Sequence, residues 1–207
     1  MANYRNMELH CGCCGTVFDA KVLHSYYNSS DIGLDLNPHN EAVFDSIVQC
    51  PSCGYTSLAI QKPAIVSRSQ VAKLLESTTR DYSDSIVQKA VLGALIAEAS
   101  KDYRTAGLLY LMSYWRTLNG EKEDGRHLLL KATENQEVYL VENQDVDTAI
   151  VYIDCLRQLE MFDQAAETAI DLSQYVNDAQ RLSILEYERK LIERNDCAPH
   201  SLSEVSV

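Results

Sequence analysis

Cys11-Gly-Cys-Cys14-Gly15 and Cys50-Pro-Ser-Cys53-Gly54-Tyr55 are two halves of one signal, each reading C-x-x-C-G. A cysteine pair with this spacing on a tight turn points both sulfurs at one ion. The glycine that follows relaxes the backbone, so that amides can face sulfur. Two such knuckles make a closed four-thiolate site. Cys11, Cys14, Cys50 and Cys53 are the expected ligands, and one structural zinc ion is the expected occupant. Cys13 leaves the register of the first knuckle open, although only the Cys11–Cys14 spacing repeats that of the second. His10 and His39 are substitute ligands by type and surface histidines by default.

Two other chemistries use the same cysteines. A rubredoxin-like iron site also takes two C-x-x-C-G knuckles, but the helical portion lacks the Glu-x-x-His ligand pairs of the di-iron domain that often accompanies such a module. A thiol redox motif needs a βαβ context, which residues 1–62 do not offer. Seven cysteines is an odd number, and the N-terminal stretch has no apolar core behind a basic start. A reduced, cytoplasmic protein is therefore expected rather than a disulfide scaffold. Cys155 falls in an apolar helical pattern and reads as a core thiol, and Cys197 as incidental.

Working outward, the chain divides at Gln61-Lys62-Pro63. Residues 1–62 are read as a zinc-ribbon-like β module. Thr16–Leu23 and Val43–Val48 are expected strands, Leu34-Asp35-Leu36 a short third one, and 28–33 and 37–40 turns. So small a module buries little apolar surface, and a metal cross-link compensates. Replacing Cys50 by Ser is then expected to unfold the module while helicity from residue 67 onward survives. Residues 63–195 are read as a TPR-like α-helical domain, with helices near 67–78, 83–99, 102–118, 122–142, 145–160, 163–175 and 178–194, and residues 196–207 as a disordered tail. The fold class is thus α+β, mostly α: a small N-terminal β zinc ribbon followed by an antiparallel α-hairpin array. Ser67 or Ser69, and the Ser83-Asp84-Ser85 run, are the expected caps of the first two helices. Asn119-Gly120 is the expected end of the third.

An internal echo supports the hairpins. Shifting the chain by 59 residues lays Ala90, Ala94 and Ala97 on Ala149, Ile153 and Leu156, and Tyr103, Ala106 and Tyr110 on Phe162, Ala165 and Ala169. Small residues at these spacings permit close helix crossing, as in tetratricopeptide pairs. Tyr103, Tyr110 and Tyr114 share a helical face with Trp115 turned away. They read as inter-helix packing, or more sharply as an aromatic groove for a peptide.

Charge and motifs exclude several functions. Eighteen basic against thirty acidic residues leave a formal charge of −12, which repels phosphate backbones. The near-apolar run Ala106–Trp115 is about half of a membrane span. No phosphate loop, nucleophile elbow or H-E-x-x-H motif is present, His127 reads as a helix-surface residue, and Glu121-Lys-Glu-Asp124 as a helix N-terminal turn.

The run C-x-x-C-G-T-x-F (Cys11 to Phe18), the Leu-Asp-Leu-x-Pro segment (Leu34 to Pro38) and V-Q-C-P-x-C-G-Y (Val48 to Tyr55), followed by Ala-rich helices, resemble a bacterial family known only as a numbered domain of unknown function. The resemblance implies a zinc-ribbon head on a TPR-like body and carries no activity with it. The expectation is a non-enzymatic, zinc-binding adaptor for an unknown protein partner, with no membrane or nucleic-acid partner and an open oligomeric state. The alternatives are a nucleic-acid-associated regulator acting through the ribbon, or the iron redox protein.

Overall fold

The structure is a computed structural model that describes residues 2–27, 31–118 and 125–205. It is α+β and mostly helical, with a small two-stranded antiparallel sheet followed by a helical array. Strands β1 (Ala2–His10) and β2 (Val17–Tyr26) form one hairpin, in register from Ala2↔Tyr26 to His10↔Val17. β3 (Val48–Gln49) and β4 (Thr56–Ser57) form a second, minimal one. Each hairpin has a cysteine knuckle at its tip.

Three departures from the expected strands have local causes. β1 has almost no apolar alternation because most of its side chains face water, so only backbone pairing marks it as a strand. Residues 43–46 are not strand. They lie in a 3₁₀ turn, Glu41–Ser46, whose first amides are capped by Asn40 Oδ1 accepting from Ala42 N at 3.0 Å. That turn drives Phe44 and the following Ile47 into the helical core. Leu34 makes no strand either. Its amide donates to the His200 carbonyl at 2.9 Å, and Gly33 bridges Ser201. The expected turn at 28–33 lies partly, at 28–30, outside the described residues.

The helices are α1 (Arg68–Asp81), α2 (Ser85–Ala99), α3 (Tyr103–Leu118), α4 (Arg126–Glu142), α5 (Val146–Gln158), α6 (Phe162–Ser173) and α7 (Ala179–Glu193). Their starts are chemically specified. Ser67 and Gln70 form a capping box on α1, Asp84 caps α2 through the amides of Ile86 and Val87, and Asp145 and Asp178 cap α5 and α7. The expected end of α3 at Asn119-Gly120 and the turn at 121–124 lie outside the described residues. Each helix packs on its successor. Gly107 lets α3 approach α4 closely, since a Cβ there would stand 3.3 Å from the Ala132 carbonyl oxygen.

The 59-residue echo has a backbone counterpart. After α2, Asp102 N donates to Ala97 O and Lys101 N to Glu98 O; after α5, Met161 N donates to Leu156 O and Glu160 N to Arg157 O, all at 2.9 Å. Lys101 and Glu160 both take left-handed φ, +59° and +64°. The two hairpins therefore end their first helices in the same Schellman turn. Tyr110 and Trp115 are buried and Tyr114 is half-buried, so the aromatic series packs between helices rather than lining an open groove.

Residues 196–205 are not the disordered tail expected of 196–207. They dock along the chain's other end: Leu202 N donates to Ile32 O (2.8 Å), and His200 sits between Asp196 (3.2 Å) and Glu204 (2.9 Å). Arg157, with 0% exposure, holds the segment by donating to the carbonyls of Asp196 (2.7 Å) and Ala198 (2.8 Å). Its guanidinium also pairs with the fully buried Asp154 and with Glu188 (2.9 Å). Burial, with Asp154 nearby, pushes the Glu188 carboxyl well above its ordinary range, and its Oε1 has no partner among the described residues. Asp35, which accepts from Trp115 Nε1 at 2.6 Å, is raised to about 6, first by desolvation and then by the charge of Asp154.

Replacing Arg157 by Met leaves two buried acids without their cation and should cost about 3–5 kcal/mol in urea denaturation. The Asp35 shift also predicts a pH dependence. A carboxyl raised from 3.8 to about 6 favours the folded state in its protonated form. Its contribution is present below about pH 4 and lost as pH rises through about 6. The stability gap between the native chain and Asp35→Asn should therefore slope across that window and be flat above it; a gap constant from pH 4 to 7 contradicts the assignment.

Candidate metal centre

Both knuckles follow one backbone recipe. In the first, Cys11 N donates to Thr16 O (2.9 Å) and Gly15 N to Cys11 O (2.8 Å). In the second, Cys50 N donates to Tyr55 O (2.8 Å) and Gly54 N to Cys50 O (3.0 Å). Gly15 and Gly54 take φ of +74° and +75°, the left-handed region that L side chains rarely enter. The recipe is local, which is why C-x-x-C-G is visible in sequence.

The tertiary structure brings the tips together. The sulfurs of Cys11, Cys14, Cys50 and Cys53 all lie within 4.8 Å of one another. Across the knuckles, Cys11 Sγ stands 3.7 Å from Cys53 Sγ, and Cys14 Sγ 3.7 Å from Cys50 Sγ. Those separations are far beyond a disulfide bond. They match a tetrahedron around an ion with metal–sulfur bonds of about 2.3 Å, whose edge is about 3.8 Å. The donor set fits a thiophilic divalent ion with all four positions filled from the protein. Cys13 stays outside the group, its sulfur 3.9 Å from the Val66 carbonyl oxygen. His10 is exposed near Glu8, His39 is exposed, and neither joins the cluster. Cys155 is a buried core thiol, raised well above its usual range by desolvation, and Cys197 is exposed.

The surroundings act on how readily each thiol ionises. Desolvation pushes the Cys53 thiol up strongly and the Cys11 thiol up as well, while the Thr16 side chain, 3.2 Å from the Cys14 sulfur, lowers Cys14 to about 6. Amides of Cys13 and Cys14 face the Cys11 sulfur, and those of Thr16 and Tyr55 face Cys14 and Cys53. Such dipoles ease a thiolate but do not balance four, so the cage takes either protons or a cation.

Gly12 was invisible to motif reading. Its amide donates to Ile60 O (2.8 Å) and its carbonyl accepts from Ala64 N (3.1 Å), pressing the first knuckle flat against residues 59–64. A Cβ there would fall 1.8 Å from the Lys62 carbonyl oxygen. The knuckles also share one apolar cluster with the body, in which Leu9, Cys11, Cys50 and Tyr55 meet Val71 of α1 and Leu92 and Ile96 of α2.

Gly12→Ala should therefore destabilise by about 2–3 kcal/mol and speed metal loss to a chelator. Gly15→Ala, with open space around its Cβ and only the backbone strain, should cost about 1 kcal/mol. Thermal denaturation of the two variants side by side checks the order.

No family model, no curated protein and no solved structure matches the chain.

Proposed function

We propose that Cys11, Cys14, Cys50 and Cys53 hold one zinc ion as a structural clamp, and that the chain is a non-enzymatic adaptor for a protein partner in the cytoplasm. The convergence of four sulfurs within 4.8 Å of one another, two cross-knuckle pairs of them 3.7 Å apart, carries this reading. A four-thiolate zinc has no open position for water or substrate, so its contribution is cross-linking and charge, not Lewis-acid chemistry. Seven free cysteines fit a reducing compartment. Among the described residues no helix is long and apolar enough to cross a membrane. The body is read as a TPR-like array, supported by its repeated Schellman turns, and a formal charge of −12 weighs against a nucleic-acid target.

Purified protein should be colourless and carry about one zinc per chain by elemental analysis. A red protein holding iron would establish the rubredoxin-like alternative instead. The adaptor role is tested by photo-crosslinking in the native cell, where a single recurrent partner is expected. Catalytic turnover in a substrate screen with no such partner would overturn it.

Metal removal should act beyond residue 62, because the knuckles share a cluster with α1 and α2. Chelation should raise amide exchange in residues 9–57 and in α1 and the α2 residues around Leu92 and Ile96. The separate cluster of α5, α6 and α7 should stay protected. Exchange confined to residues 1–62 would show that the shared cluster contributes little.

A further inference from the structure

Far from the cysteines, the turn between α4 and α5 and the face of α6 enclose a groove of about 620 Å³. Its floor is apolar, with Leu140, Val146 and Leu172 half-buried over the α5–α7 core. Two large side chains stand at its rim with almost nothing covering them: Val141 is 81% and Tyr175 76% exposed. The groove's charged lining residues, Glu137, Asp145 and Asp171, are all acidic. Asp145 pairs with Arg104 at 3.1 Å, whereas Glu137 and Asp171 form no ion pair among the described residues. The imbalance extends well past the groove. Residues 132–180 contain eleven acidic residues and a single basic one, Arg157, which is sealed in the core with Asp154; Arg104 and Arg181, from outside the stretch, pair with Asp145 and Asp147, and the other acids remain in excess.

We propose that this groove docks a cationic amphipathic protein segment, a helix whose apolar residues at i, i+3/i+4 and i+7 enter over Leu140, Val146 and Leu172 while flanking Lys and Arg meet the acidic rim. The proposal rests on the adaptor reading and names the surface and the chemistry of its partner. An apolar floor with exposed Val141 and Tyr175 provides anchoring area, which favours a helix-in-groove mode. A rim on which Glu137 and Asp171 lack a cationic partner among the described residues, with Asp145 alone paired to Arg104, selects by charge, steering basic segments in and repelling acidic ones. The same charge disfavours the other occupants. A second copy of this chain carries −12 itself, and nucleic acids and anionic lipid surfaces are likewise repelled.

The test uses the full metal-loaded chain and a labelled synthetic peptide with leucines at i, i+3, i+4 and i+7 and lysines between them. Fluorescence anisotropy should show binding that weakens as salt rises. NMR shift changes should map to residues 137–149 and 168–175. Removing both rim anchors, Val141→Ser with Tyr175→Ser, should weaken binding about tenfold. Ile65→Ser, at a site 78% exposed elsewhere, should leave it unchanged. Equal binding of a peptide with glutamate in place of lysine overturns the charge selection. Shifts at the second knuckle and α1, around Ser52 and Thr79, overturn the location. Concentration-dependent dimerisation that the double variant abolishes overturns the proposal in favour of a second copy. A cellular partner that crosslinks equally to the native chain and the double variant removes the groove while leaving the adaptor reading intact; no partner with either removes both.

Discussion

Four sulfurs held within 4.8 Å of one another are the constraint around which the head of this protein is built. Thiols pushed up by desolvation cannot all ionise in so small a space, and four neutral thiols would gain little from meeting there. A bound cation would change the balance, because every sulfur would gain a bond and the hairpins a common anchor. The rest follows from keeping both tips in place: glycines in left-handed turns, the flat Gly12 against residues 59–64, and amides aimed at sulfur. Two hairpins this small would be marginal without that anchor.

The cysteine cluster does not stop at the head. Cys11 and Cys50 are themselves part of an apolar cluster that continues into α1 and α2, while Phe44 and Ile47 plug the core formed by α2 to α5. Head and helical body therefore share two apolar clusters. Beyond α5, a third cluster joins α5, α6 and α7, and there the surface turns acidic and the open groove appears. The four-cysteine cluster and this groove thus belong to separate apolar clusters of the array.

What was legible in the sequence follows the range of the interactions involved. Knuckles, caps and helices are fixed by neighbours within a turn or two, and Ser67, Asp84 and the C-x-x-C-G pairs announced themselves. The 59-residue echo was legible in its matching small and aromatic residues, and the same Schellman turn recurs after Ala97 and after Leu156. β1 was hidden because a water-facing strand needs only backbone partners. Of Val43–Val48 only Val48 lies in a strand; the rest misled because apolar residues entering a core by way of a 3₁₀ turn resemble strand when read in line. The buried polar group of Asp154, Arg157 and Glu188 left no trace, since charged residues in a helical pattern read as its solvated face, and their neighbour Asp35 sat in what read as a short strand. Gly12 was equally silent, because what it avoids is a carbonyl fifty residues away.

The docking of residues 196–205 carries a consequence for how the chain is made. Asp31, Ile32 and Leu34 take partners from Ser201, Leu202 and His200, and Arg157 shares its guanidinium with two carbonyls of that same segment. During synthesis the N-terminal loop and the first five helices emerge long before those partners exist. Domains begin to fold while the ribosome is still working. Here the polar centre around Arg157 cannot close before residues 196–198 have emerged, so the helices that frame it must wait for two carbonyls made about forty residues later.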